Sequence, residues 1–147
     1  MIDADYKKNR HSCFNLKYHL VVVTKYRYEV LTKDVGLRLI EITKTIFEDN
    51  WNSNILEINY ERDHIHILFE APPQVQLSKL INNFKTVSSR LIRKEFKTHV
   101  ERYYWKPYFW SNSYLILTTG GATIDIIHKG RPTGVKKYIK NQSTPVE

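Results

Sequence analysis

Two pairs of residues in this chain have the type and spacing to do chemistry. His64 and His66 are separated by one residue inside the run Asp63-His64-Ile65-His66-Ile67-Leu68. In an extended strand, positions i and i+2 share a face. Both imidazoles therefore project together, while Ile65 and Ile67 point the other way, into a core. Two neutral imidazoles at that spacing can share one metal ion, although an arbitrary His-x-His is more often a structural pair satisfied by hydrogen bonds. Asp63, next to the pair, is placed to hold a histidine from behind. Tyr138 and Gln142 stand four apart, hence on one face of a helix. A tyrosine oxygen can attack phosphorus and later leave again. Its ordinary pKa of about 10 demands a site that favours the developing phenolate. Gln142 offers a side-chain carbonyl suited to a hard cation such as Mg²⁺ or Mn²⁺. Two imidazoles and one amide would leave that cation's charge uncancelled, a strong Lewis acid toward phosphate. A tyrosine with a glutamine one turn later is also common on helix surfaces, and among 10 tyrosines composition alone does not select Tyr138.

The elements that must position these residues are readable from periodicity. Phe14 to Thr24 is rich in aromatic and β-branched residues and reads as a first strand. Thr32 to Asn50 carries Val35, Leu39, Ile42, Ile46 and Phe47 at helical spacing, with Thr32 as the expected N-cap. Trp51 to Tyr60 and His64 to Ala71 are strand-like, joined through Arg62 and Asp63 in a hairpin that lacks the usual glycine turn. Pro72-Pro73 ends the second of them. Leu77 to Phe96 is a second amphipathic helix, and Ser113 to Thr119 another strand. Ala122 to Lys129 looks helical, the Gly/Pro joint at 130–134 breaks it, and Val135 to Gln142 forms a last helix carrying Tyr138. The order β-α-β-β-α-β predicts an α+β ferredoxin-like sandwich, an antiparallel sheet with helices on one face, plus a C-terminal helix. The whole of 1–147 reads as one domain, with 1–13 a flexible arm.

Composition narrows the partner. The net charge is +8, which favours a polyanion because Lys and Arg neutralise phosphates and release counterions, though basic balance alone is weak evidence. Lys25 and Arg27 after the first strand, with Lys85, Arg90, Arg93 and Lys94 on the second helix, are candidate DNA phosphate contacts; any one of them alone reads as solvated surface. Tyr103, Tyr104 and Trp105 read first as core or dimer interface, and second as stacking platforms for unpaired bases. Cys13 is the single cysteine, which excludes an internal disulfide framework and a Cys-rich zinc module. The longest apolar run, Leu20 to Val23, is too short to cross a bilayer, and Met1 to Arg10 has no signal-peptide core. A cytoplasmic protein with no membrane partner is the expectation.

Taken in order, these segments resemble a known family. Asp63-His64-Ile65-His66-Ile67-Leu68 resembles the histidine-hydrophobic-histidine (HUH) motif of the insertion sequence 200/605 transposases, known as TnpA. Tyr18-His19-Leu20-Val21 through Thr24-Lys25-Tyr26-Arg27 resembles their first strand and its basic exit, and Leu80 to Leu91 their central helix. Trp110-Ser111-Asn112-Ser113-Tyr114 resembles the approach to their last strand, and Tyr138-Ile139-Lys140-Asn141-Gln142 their catalytic helix. The family helix that leads into the tyrosine runs unbroken, whereas here residues 130–137 interrupt it.

The resemblance implies a homodimeric transposase acting on single-stranded DNA with hairpin ends. It implies that His64, His66 and Gln142 bind Mg²⁺ or Mn²⁺. Tyr138 would attack a phosphodiester to give a 5′-phosphotyrosine link and a free 3′-OH, with no nucleotide cofactor. The alternatives are a non-catalytic RNA- or DNA-binding module of the same sheet order, or another HUH endonuclease such as a repeat-associated transposase. The first needs no His-x-His and uses an aromatic strand that this chain lacks.

Overall fold

The structure, a computed structural model, describes residues 15–119. Tyr138, Gln142, Cys13, the N-terminal arm, the joint at 130–134 and the helices expected around it lie outside the described residues. Within them the chain runs β1 (Leu16–Val23), a 3₁₀ turn (Lys25–Arg27), α1 (Lys33–Lys44), β2 (Asn54–Glu61), β3 (His64–Ala71), α2 (Leu77–Glu95), α3 (Lys97–Glu101) and β4 (Leu115–Thr118). The strands form a 4-stranded sheet in the order β2-β3-β1-β4, every neighbour antiparallel. That is the ferredoxin-like arrangement expected from the element order.

β3 divides the molecule into two faces. Its odd positions, Ile65, Ile67, Phe69 and Ala71, are buried, and its even ones, His64, His66, Leu68 and Glu70, are half-buried. β1 continues the apolar face with Leu20 and Val22, which lie across from Ile67 and Ile65. Against this face α1 sets Val35, Leu39 and Ile42, while α2 sets Leu80, Ile81, Phe84 and Ile92. Phe47 lies at the centre, edge-on to Phe69 at 4.9 Å and to Phe84 at 5.8 Å between ring centroids. Arg38 ties the two helices on the outside, its Nε donating to Glu95 Oε1 at 2.7 Å and a terminal nitrogen to Oε2 at 3.0 Å.

Several details depart from the sequence expectation for local reasons. Thr32 occupies the N-cap of α1, but its hydroxyl makes no capping bond; its carbonyl accepts from the Gly36 N–H at 2.7 Å. After Lys44 the helix widens into a π-helical turn, Thr45–Asn50, which lets both Ile46 and Phe47 reach the core. α3, unforeseen by periodicity, follows a break at Phe96. The Arg62-Asp63 turn needs no glycine because neither residue takes a positive φ, and its carbonyls accept bonds from other segments of the fold. Leu31 N–H donates to Arg62 O at 3.0 Å, and Thr24 N–H to Asp63 O at 2.9 Å.

The central ring gives a direct stability test. Replacing Phe47 by Ala empties a site walled by two other rings and is expected to cost about 3–5 kcal/mol. Urea unfolding should show this as a lowered midpoint with unchanged slope.

Candidate active site

The histidines occupy the face of β3 turned away from α1 and α2, as their spacing requires. His64 lies across from Val23 of β1 and Glu61 of β2, and His66 across from Val21 and Asn59. Val21 and Val23 are 1% and 0% exposed, so both imidazoles stand beside an apolar floor. There, unlike in bulk water, polar interactions are weakly screened.

Asp63 organises one end of this face. Its Oδ1 is 2.9 Å from His64 Nδ1 and its Oδ2 is 2.8 Å from Arg27 Nε. The hydrogen bond to His64 is the largest influence holding the Asp63 carboxyl below the ordinary carboxylate range; burial opposes it, and the charges of His64 and Arg27 reinforce it. In the neutral ring, with Nδ1–H donated to the carboxylate, the acceptor nitrogen is Nε2, on the far side of the imidazole. A carboxylate behind a histidine in this manner orients the ring and raises its basicity as a metal ligand.

Arg27 reaches Asp63 because the chain turns sharply after β1. Tyr26 and Arg27 take φ of 60° and 58°, in the left-handed region. Such geometry at a non-glycine residue costs on the order of 1–3 kcal/mol, and neighbouring contacts hold it. Tyr104 Oη donates to Lys25 O at 2.6 Å, and Thr24 Oγ1 lies 2.6 Å from Tyr28 O and 3.1 Å from Asp63 O. Burial pushes the Tyr104 phenol above its ordinary pKa, which keeps its proton on that bond.

His19 is a site neighbour that the sequence reading did not single out. Its Nδ1 is 2.8 Å from His66 Nε2, and His19 is 7% exposed. One ring must donate and the other accept. The available signal was that His19 sits at an even distance from Val21 and Val23, on the face opposite Leu20 and Val22. Only the β1–β3 register brings it to His66.

The donor set fits a divalent cation in kind: two imidazoles on one strand face, one held from behind by a carboxylate. Among the described residues no group of three His, Cys, Asp or Glu could hold a metal ion.

Known proteins decide the family. The family described as IS200-like transposases matches residues 12–142. The chain belongs to the IS200-like transposase family. It is 31% identical over 140 residues to the transposase for insertion sequence element IS200 of Salmonella typhimurium, spanning 95% of this chain and 84% of that one. It is 28% identical over 142 residues to the ISDra2 transposase TnpA of Deinococcus radiodurans, spanning 97% and 94%. A crystal structure of a Deinococcus radiodurans R1 protein described as a transposase superposes with a TM-score of 0.80 at 27% identity, covering 94% of this chain and 98% of that one. A REP-associated tyrosine transposase bound to a REP hairpin shares the fold, with a TM-score of 0.58 at 10% identity over 81% of this chain and 68% of that one.

The basic residues of this transposase-family chain separate into groups. Lys25, Lys85 and Arg93 line one open cleft of about 290 Å³ between α2 and the segment before β4. Lys85 Nζ donates to Ser111 O at 2.7 Å, and burial, then the charge of Lys25, lowers its pKa. Arg27 is turned onto Asp63, while Arg90 and Lys94 are exposed on α2 and do not line that cleft. Tyr104 is core, as the aromatic-segment reading expected, whereas Trp105 is 86% exposed. Among the described residues no helix is long and apolar enough to cross a membrane.

The Asp63 anchor has a pH signature. A carboxyl held below its ordinary value of 3.8 stabilises the fold above that pH and loses the contribution as pH falls through its folded pKa. Asp63→Asn is expected to cost about 1–2 kcal/mol at neutral pH, the lower part of the range for charged hydrogen bonds because Arg27 is partly solvated. The gap between wild type and variant should narrow in urea titrations below pH 3.8. A gap independent of pH would show that the carboxylate's charge is not what anchors the turn.

Proposed function

We propose that the chain cuts and rejoins single-stranded DNA at hairpin-bearing ends, with Tyr138 as nucleophile and His64, His66 and Gln142 as the holders of Mg²⁺ or Mn²⁺. The observation that carries this reading is the pair of histidines on one protected face of β3, with His64 oriented from behind by Asp63. Membership of a transposase family supports it, because such enzymes break and join DNA strands.

The Tyr138 oxygen forms a bond to phosphorus as the bond from phosphorus to the 3′ oxygen breaks. The phenolic proton leaves toward solvent and one is returned to the 3′ oxygen, which becomes a free hydroxyl. The product is a 5′-phosphotyrosine, and attack on it by another 3′-OH restores the tyrosine without nucleotide energy. A divalent cation at the histidine pair would supply positive charge against the phosphate during these steps. Asp63 holds the His64 ring, Arg27 holds Asp63, and the Lys25–Lys85–Arg93 cleft binds backbone phosphates near the site. The REP hairpin held by the fold neighbour motivates a hairpin as the ligand here. A homodimer and action in the cytoplasm belong to the same proposal.

The test is a denaturing gel of the protein incubated with Mg²⁺ or Mn²⁺ and single-stranded DNA from the flanks of its own gene. Wild type should yield a covalent protein–DNA band that duplex DNA and a chelator abolish. Tyr138→Phe should remove the band while leaving hairpin binding within a few-fold. A band that persists in Tyr138→Phe assigns the nucleophile to another tyrosine. Asp63→Asn should raise the metal concentration needed for half-maximal adduct by about 10- to 100-fold. An unchanged metal requirement there would separate Asp63 from the metal site.

A further inference from the structure

Of the 3 tryptophans in the chain, two are held by hydrogen bonds inside the fold. Trp110 is 7% exposed with its Nε1 donating to Ser88 Oγ at 3.0 Å. Trp51 is half-buried with its Nε1 on Asn83 Oδ1 at 3.1 Å. Trp105 is 86% exposed, and its indole carries Lys106 Nζ over the ring at 5.0 Å. It is also presented on a firm base. Tyr104 beside it is buried and bonded to Lys25 O, and the next turn is closed by Tyr108 N–H donating to Lys106 O at 2.6 Å.

Trp105 stands beside a second cleft, of about 210 Å³, which shares Arg93 and Pro107 with the cleft of Lys25 and Lys85. The two clefts adjoin at those residues. Their lining carries Lys25, Lys85, Arg93, Lys97 and Lys106 against one acid, Glu101, which is paired with Lys97 at 3.0 Å. At the inner end, Lys25 adjoins Thr24, whose N–H is bonded to the Asp63 carbonyl at the histidine site. A row of cations suits a phosphate backbone, and an exposed aromatic platform suits the face of an unpaired base. A duplex hides its base faces in the stack, so the combination selects a single strand.

We infer that this groove carries an unpaired stretch of DNA away from the histidine site, with phosphates along Lys25, Lys85 and Arg93 and a base stacked on Trp105. The inference rests on the DNA reading above and adds the path of the strand. Lys85 is half-buried with Lys25 as a like-charged neighbour, and an anion in the cleft would offset the electrostatic cost of both.

The experiment uses the full chain with the oligonucleotide dT15. Because Trp105 is the exposed indole of the three, saturating dT15 is expected to quench tryptophan emission, and Trp105→Phe should lose most of that quench while keeping affinity within about threefold. Trp105→Ala should weaken dT15 binding about 5- to 100-fold, the range for loss of one base–aromatic stack. Lys106→Ala should reduce the slope of log affinity against log salt by up to about 0.7. Wild-type affinity in Trp105→Ala overturns the inference while leaving the strand-cutting proposal intact. A change of oligomeric state in Trp105→Ala without DNA, at unchanged dT15 affinity, also overturns it and assigns the surface to a second copy of the chain. Failure of the wild-type protein to bind any single strand would remove the strand-cutting proposal as well.

Discussion

The register of β3 between β1 and β2 is the constraint on which the rest of the molecule depends. A strand repeats every two residues, so one register buries Ile65, Ile67 and Phe69 under the helices and turns His64 and His66 the other way. A slip of one residue would put imidazoles in the core and isoleucines on the site. Each buried aliphatic or aromatic side chain contributes about 1.5–3 kcal/mol relative to exposure. The core therefore enforces the orientation of the histidines far more strongly than any interaction on their own face could. Site and core are two consequences of one pairing.

Asp63 extends that constraint from the sheet to the loops. It sits in the two-residue turn between β2 and β3, and it meets His64 on one oxygen and Arg27 on the other. Its backbone carbonyl receives Thr24, so the exit of β1 and the β2–β3 turn are fastened together. The left-handed pair Tyr26 and Arg27 is the conformational cost of bringing a guanidinium to that carboxylate, and the surrounding tyrosines offset it. Strain, ion pair and histidine orientation thus form one unit next to the candidate metal position.

The aromatic segment between α3 and β4 has two functions that composition does not distinguish. Tyr104, Phe109 and Trp110 complete the core, and Trp110 satisfies the buried hydroxyl of Ser88. Trp105 and Lys106 project from the same segment beside a cationic groove. The buried rings anchor the backbone that carries the exposed one.

Residue periodicity by itself determined the strand carrying His64 and His66, the two long helices and the ferredoxin-like order, because burial on one side of a regular element leaves a repeat in the chain. The order of motifs likewise pointed to the transposase family. Residue pairs far apart in sequence were not legible. His19 against His66 and Arg27 against Asp63 depend on strand register and on a strained turn, neither of which leaves a periodic trace. The division of Lys85 and Arg93 from Arg90 and Lys94, and of Trp105 from Tyr104, was decided only by tertiary packing. Side chains of one type, a turn apart or adjacent, differ in what the rest of the fold places next to them.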